Sequence, residues 1–186
     1  MNIPTFLTLL RILVIPIFIV AFYLPVGWSN LVTTGIFAFA AITDWFDGYL
    51  ARRWNQTSNF GAFLDPVADK LIVATALVLL VETHPSPWIA VPAVVIIGRE
   101  ITISALREWM ASVGDRTKVA VSTIGKIKTT VQMVALLMLL YEDDIFTIPI
   151  YGLGIVFLYM AAILTLWSMF IYLRAALPTL LKSHKS

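Results

Sequence analysis

The 32 positions from 12 to 43, between Arg11 and Asp44, carry no charged side chain. A helix rising ~1.5 Å per residue over that length would overshoot the ~30 Å core of a bilayer. Pro25, Gly27, Ser29 and Asn30 interrupt the run near its middle. It therefore reads as a hairpin of two membrane spans whose charged ends return to one side. The rest of the chain repeats the pattern, with uncharged stretches divided by short polar turns. The expectation is an all-α integral membrane protein, a single domain over residues 1–186 with six transmembrane helices at about 5–25, 30–53, 60–81, 88–107, 124–141 and 148–173. Composition agrees, because 60% hydrophobic and 13% charged residues with a mean hydropathy of +0.90 make lipid the solvent for most of the chain.

In this arrangement every Lys and Arg, from Arg11 to Lys185, falls at one end of the spans. The positive-inside rule then places both termini at the cytoplasmic face of a cell (inner) membrane. Pro16 and large residues fill the first apolar run, and no small-x-small site follows it, so it reads as a retained span rather than a cleaved signal. A net charge of +2 gives no argument for nucleic acid, and the absence of Cys excludes disulfides and a thiolate nucleophile.

Against this apolar background the stretch from Asp44 to Asp69 is exceptional. It holds Asp44, Asp47, Asp65 and Asp69 at spacings of three and four, which put each pair on one face of a helix. Two facing acid stripes would form a cage, tolerable only if cations neutralise it. Hard divalent ions with oxygen ligands, Mg²⁺ or Mn²⁺, suit such a site. Gly48, Ala51 and Gly61 lie about one turn from the acids and leave helix surface open, while Arg52 offers a guanidinium fork suited to phosphate. Together these residues describe a diphosphate site. The uncharged part of the third span, Leu71 to Val81, is too short to cross a bilayer, so Asp65 and Asp69 sit within the cytoplasmic half of the membrane. Ionisable groups there face a water-filled cavity, expected to open to the cytoplasm.

Asp44, Asp47-Gly48, Ala51-Arg52, Gly61, Asp65 and Asp69, in that spacing, match the signature of the CDP-alcohol phosphotransferase family at every defined position, and the chain resembles that family. The resemblance implies a divalent-metal-dependent, six-helix membrane enzyme, a homodimer, that moves a phosphatidyl group from CDP-diacylglycerol to an alcohol and releases CMP. It implies that Asp44, Asp47, Asp65 and Asp69 hold the metal and that Asp69 takes the proton from the attacking hydroxyl. Gly48, Ala51, Arg52 and Gly61 would line the CDP-lipid. Asn2, Thr5 and Arg11 would reach the nucleotide or its phosphates, the alternative being an interfacial helix with Asn2 as its cap and Arg11 snorkelling to the membrane surface. Ser58 is either a nucleotide contact or the cap of the third helix.

The fourth and fifth spans add charge of the opposite sign. Arg99 and Arg107, with Lys126 and Lys128, form a basic set on the same side of the membrane as the acids. They read either as a buried Arg99–Glu100 pair and membrane-surface anchors, or as a site for the phosphate of a second substrate. Length, these cations and the opening segment resemble family members whose acceptor is sn-glycerol 3-phosphate. A different acceptor alcohol is the alternative within the family. Outside it stand an intramembrane prenyltransferase, which leaves the Gly-Ala-Arg spacing unexplained, and a cation transporter, which would spread its acids across the bilayer midplane. His84 and the turn Glu142-Asp143-Asp144 read as solvated on the opposite side, and the tail from Lys182 as a disordered basic end.

Overall fold

Backbone groups have no water to bond with in a bilayer core, so apolar runs must satisfy them internally, and helices do this within one segment. Six α-helices form among the described residues: α1 (Ile3–Phe22), α2 (Ser29–Trp54), α3 (Asn59–Thr83), α4 (Pro87–Ser112), α5 (Thr123–Tyr141) and α6 (Ile150–Ser183). The computed structural model describes residues 3–54, 59–113 and 123–183; side chains at 3–5, 7, 45, 47–54, 59, 60, 62, 63, 123, 124, 126 and 179–183 fall outside that description.

Local chemistry fixes the element ends. Ser86, in extended backbone, caps α4 by accepting the Trp88 N–H at 3.3 Å, and Pro87 opens the helix where its missing N–H costs nothing. At the end of α5, Glu142 takes a left-handed conformation (φ 64°) and returns its N–H to the Met138 carbonyl at 3.1 Å. α6 runs to Ser183, so Lys182 and Ser183 stand in a helix where the sequence suggested a disordered tail. Ala175, Ala176, Leu177, Leu180 and Leu181 are strong helix formers and carry it past Pro178.

The chain divides into two compact units. The first comprises residues 1–84 and 136–154. In it α1 packs against both α2 and α3, with the rings of Phe18 and Phe37 6.1 Å apart and Ala68, Ala76, Leu77 and Leu80 fully or almost fully buried. Gly154 approaches α5 so closely that a Cβ there would lie 2.9 Å from the Leu139 side chain. The second unit comprises residues 85–135 and 155–186. Its core includes Ile103, Met110, Tyr172 and Ala176, flanked by Leu106, Trp109 and Met169.

The outward faces are as apolar as the cores. Leu13, Val94, Ile101, Ile163 and Phe170 are each more than 60% exposed, as lipid-facing side chains are. Pro87–Ser112 and Ile150–Pro178 are each long and apolar enough to cross a membrane, and Thr8–Phe22 and Ile127–Tyr141 are shorter apolar helices.

One end of the first unit is closed by a polar cluster. His84 Nε2 meets Glu142 Oε1 at 2.9 Å, its Nδ1 lies 3.1 Å from the Thr83 hydroxyl, and its ring stacks 4.9 Å from Tyr151. Asn30 donates to the other Glu142 oxygen at a longer 3.4 Å, and Tyr23 donates to Glu82. His84 and Glu142 are thus partners rather than separately solvated groups, a pairing across 58 residues that the local Pro-rich sequence could not show.

Candidate active site

The opposite end of the first unit holds the acids. Asp44 lies in the second half of α2, Asp65 and Asp69 in the first half of α3. Arg11 Nη1 on α1 pairs with Asp44 Oδ1 at 2.5 Å, and the Thr8 hydroxyl donates to Asp65 Oδ1. Thr8 and Arg11 are three residues apart and share a face of α1. Acids from two helices therefore converge on one face of a third.

The burial of this contact is uneven. The Arg11 side chain is 1% exposed and that of Asp44 37%. Arg11 is therefore not snorkelling to the surface. It stands inside the unit as a fixed counter-charge, and a charge so buried needs such a partner. Each held carboxylate has one oxygen engaged from α1, and both carboxylates would be among the groups that hold a metal. Orienting contacts of this kind from a neighbouring group are the usual support of metal-binding carboxylates. The donor chemistry, carboxylate oxygen throughout, fits Mg²⁺ or Mn²⁺. No three potential ligands gather within reach of one ion among the described residues, and the side chain of Asp47 lies outside them.

Asp69 is half-buried one turn beyond Asp65, and Gly61 is buried one turn before it. Pro66 sits beside Asp65 within α3 and cannot donate to the carbonyl one turn back. Gly48, Ala51 and Arg52 occupy α2, and Thr5 occupies α1, but their side-chain surroundings are not described. Asn2 and Ser58 lie outside the described residues altogether.

The basic set belongs to the second unit. Arg99 is 7% exposed, bonds Ser168 of α6 at 2.8 Å and Glu100 at 3.2 Å, and its buried Nε has no hydrogen-bond partner among the described residues. Lys128 of α5, 3% exposed, bonds the same Glu100 oxygen. Arg107 is exposed and donates to the Tyr172 hydroxyl at 3.1 Å. Of the two expected readings of Arg99, the pair with Glu100 is present in the structure. Lys128 is not a surface anchor, and the side chain of Lys126 is not described. Thr8, Ser168 and Tyr172 were not singled out in the sequence. Their signal was there: Thr5, Thr8 and Arg11 follow a helical stripe, and so do Thr165, Ser168 and Tyr172 within an apolar span.

Paired acids on two helices, steadied by a third, within an apolar-surfaced helical protein define the class. The family model for CDP-alcohol phosphatidyltransferase matches residues 1–167, and the chain belongs to that family. Together with its two long apolar helices, this marks it as a membrane protein.

Among individual proteins it is 60% identical over 181 residues to the CDP-diacylglycerol–glycerol-3-phosphate 3-phosphatidyltransferase of Pectobacterium atrosepticum, covering 97% of this chain and 98% of that protein. It is 62% identical over 177 residues to the protein of the same name from Sodalis glossinidius, covering 95% of each. A third of that name, from Salmonella paratyphi A, is 59% identical over 180 residues, 97% of each chain.

Proposed function

We propose that this chain transfers the phosphatidyl group of CDP-diacylglycerol to sn-glycerol 3-phosphate, giving phosphatidylglycerophosphate and CMP. Near-full-length similarity to relatives named for this activity supports the reading. The structural observation that carries it is the convergence of Asp44 and Asp65 on Arg11 and Thr8, which supports a carboxylate site that survives inside a membrane protein.

The finer assignments belong to the same proposal. All six helices cross the cell inner membrane as one domain, with both termini in the cytoplasm and a polar cavity open to it, and the enzyme works as a homodimer. Asp44, Asp47, Asp65 and Asp69 would hold Mg²⁺ or Mn²⁺. Bound there, the ion would neutralise the diphosphate and stabilise departing CMP. Arg52 steadies the phosphates; Gly48, Ala51 and Gly61 let the CDP moiety lie against helix backbone; Asn2, Thr5 and Ser58 reach the nucleotide. Arg11 and Thr8 fix the orientation of the carboxylates.

Asp69 takes the proton from the glycerol hydroxyl as its oxygen attacks the lipid-bearing phosphorus. The bond from that phosphorus to the CMP oxygen breaks, and no covalent enzyme intermediate is required. Arg99, Arg107, Lys126 and Lys128 bind the acceptor phosphate through charge-assisted hydrogen bonds.

The test is CMP release by purified enzyme in lipid vesicles. CMP should form from CDP-diacylglycerol only with a divalent ion and glycerol 3-phosphate both present. Release with glycerol 3-phosphate omitted, or with another alcohol preferred, would overturn the assignment of the acceptor.

A further inference from the structure

We propose that Tyr172 and Ser168 of α6 are positioning residues that aim Arg107 and Arg99 at the acceptor phosphate, an inference that rests on the acceptor site proposed above. Arg99 and Arg107 leave α4 two turns apart, about 12 Å along the axis. Both guanidinium groups nevertheless end at one ring, their central carbons 5.6 Å and 5.1 Å from the Tyr172 centroid. The Tyr172 hydroxyl takes an Arg107 N–H at 3.1 Å, and the Ser168 hydroxyl, one turn earlier on α6, takes an Arg99 N–H at 2.8 Å.

Two like charges drawn to one ring repel each other, and nothing in apolar packing asks for that arrangement. An anion held by both does. Tyr172 suits the part because it is itself immobile: it is 4% exposed and packed among Ile103, Met110 and Ala176. A guanidinium lying on an aromatic face keeps its edge donors free to point elsewhere. Ser168 bonds one end of Arg99, and the buried Nε has no hydrogen-bond partner among the described residues. The ligand chemistry is a phosphate monoester dianion, to which arginine edges bond in pairs.

The experiment measures KM for glycerol 3-phosphate and for CDP-diacylglycerol in four variants. Arg107→Gln should raise the acceptor KM about 10- to 100-fold, the value of a charge-assisted contact. Tyr172→Phe, which keeps the ring and loses the hydroxyl, should raise it about 2- to 10-fold. Tyr172→Leu should approach Arg107→Gln, and the double variant should be no worse than Arg107→Gln alone, since one residue acts through the other. KM for CDP-diacylglycerol should stay unchanged throughout. An acceptor KM at the wild-type value in both Tyr172 variants, with Arg107→Gln impaired, would overturn the positioning role and leave the phosphate site standing. Additive effects in the double variant would do the same. An unchanged KM in Arg107→Gln would instead remove Arg107 from the phosphate site and overturn this inference with it. If Tyr172→Leu does not fold, Tyr172→Phe decides alone.

Discussion

Among the described residues, a cation and a hydroxyl on α1 of the first unit hold acids from two other helices, whereas in the second an acid on α4 holds two buried cations. Each cluster thus contains one counter-charge that makes burial tolerable and, among the described residues, a remainder of the opposite sign. Complete pairing would produce a strut, because a fully satisfied ion pair has no charge left to offer. The remainder in the first unit is acidic and fits a divalent cation with a diphosphate. That in the second is basic and fits the phosphate of a soluble acceptor. In both clusters the carboxylate is the more exposed partner: Asp44 is 37% exposed against 1% for Arg11, and Glu100 24% against 4% for Lys128.

The largest expected effect distinguishes the acids of the first unit from one another. Asp69→Asn should lower turnover by about 10²- to 10⁴-fold, the usual contribution of a general base, and, with Asp44, Asp47 and Asp65 still in place to hold the ion, retain most of the affinity for CDP-diacylglycerol. Asp44→Asn should lose metal-dependent nucleotide binding as well, because a ligand acts in the ground state and a base only in the transition state. Single-turnover CMP release and equilibrium nucleotide binding measure the two separately. Near-normal turnover in Asp69→Asn would move the base elsewhere.

The asymmetry between the clusters also explains what could be read in the sequence. Asp44 with Asp47, and Asp65 with Asp69, are local: steps of three and four on a helix are enough to place each pair on one face. The six helices were legible for a similar reason, since the charge-free runs and their Pro, Gly and Ser breaks are local signals. The partners of these acids were not legible. Arg11 reaches Asp44 across 33 positions and Thr8 reaches Asp65 across 57, and no periodicity encodes such contacts. The sequence offered Arg11 as a snorkelling or phosphate-reaching group, and its burial corrects the first of these. In the second unit only the Arg99–Glu100 neighbour pair was foreseeable. Lys128 joins Glu100 over 28 positions, and Ser168 and Tyr172 meet α4 over 69 and 65, all set by helix packing.

A smaller effect should come from removing the counter-charge of the second unit. Glu100→Gln leaves Arg99 and Lys128 as buried cations, and breaking a buried pair in this way costs about 3–5 kcal/mol. Thermal unfolding in detergent should show the loss. Adding Lys128→Met, which removes one of the two stranded charges, should recover part of the stability while the acceptor KM stays high. Full stability in Glu100→Gln would mean that the cluster is wetter than its burial implies, and the contrast with the first unit would weaken.

The smallest effect belongs at the other end of the first unit, where the contact between His84 and Glu142 is partly exposed. His84 and Glu142 pair at 2.9 Å with side chains 26% and 43% exposed, and exposed pairs contribute about 0–1 kcal/mol. His84→Ala should therefore lower the unfolding midpoint slightly and leave both KM values unchanged. Glu142 carries a second, opposing term. Its φ of 64° lies in the left-handed region, which costs a side-chain-bearing residue about 1–2 kcal/mol that glycine does not incur. Glu142→Gly loses the same pair but relieves that strain, so it should be neutral or stabilising where His84→Ala is mildly destabilising. Equal losses in the two variants would show that the turn is held by the carboxylate rather than strained in spite of it. A change in acceptor KM in either would show that this end of the unit communicates with chemistry, which a partly exposed contact at the end away from the acids gives no reason to expect.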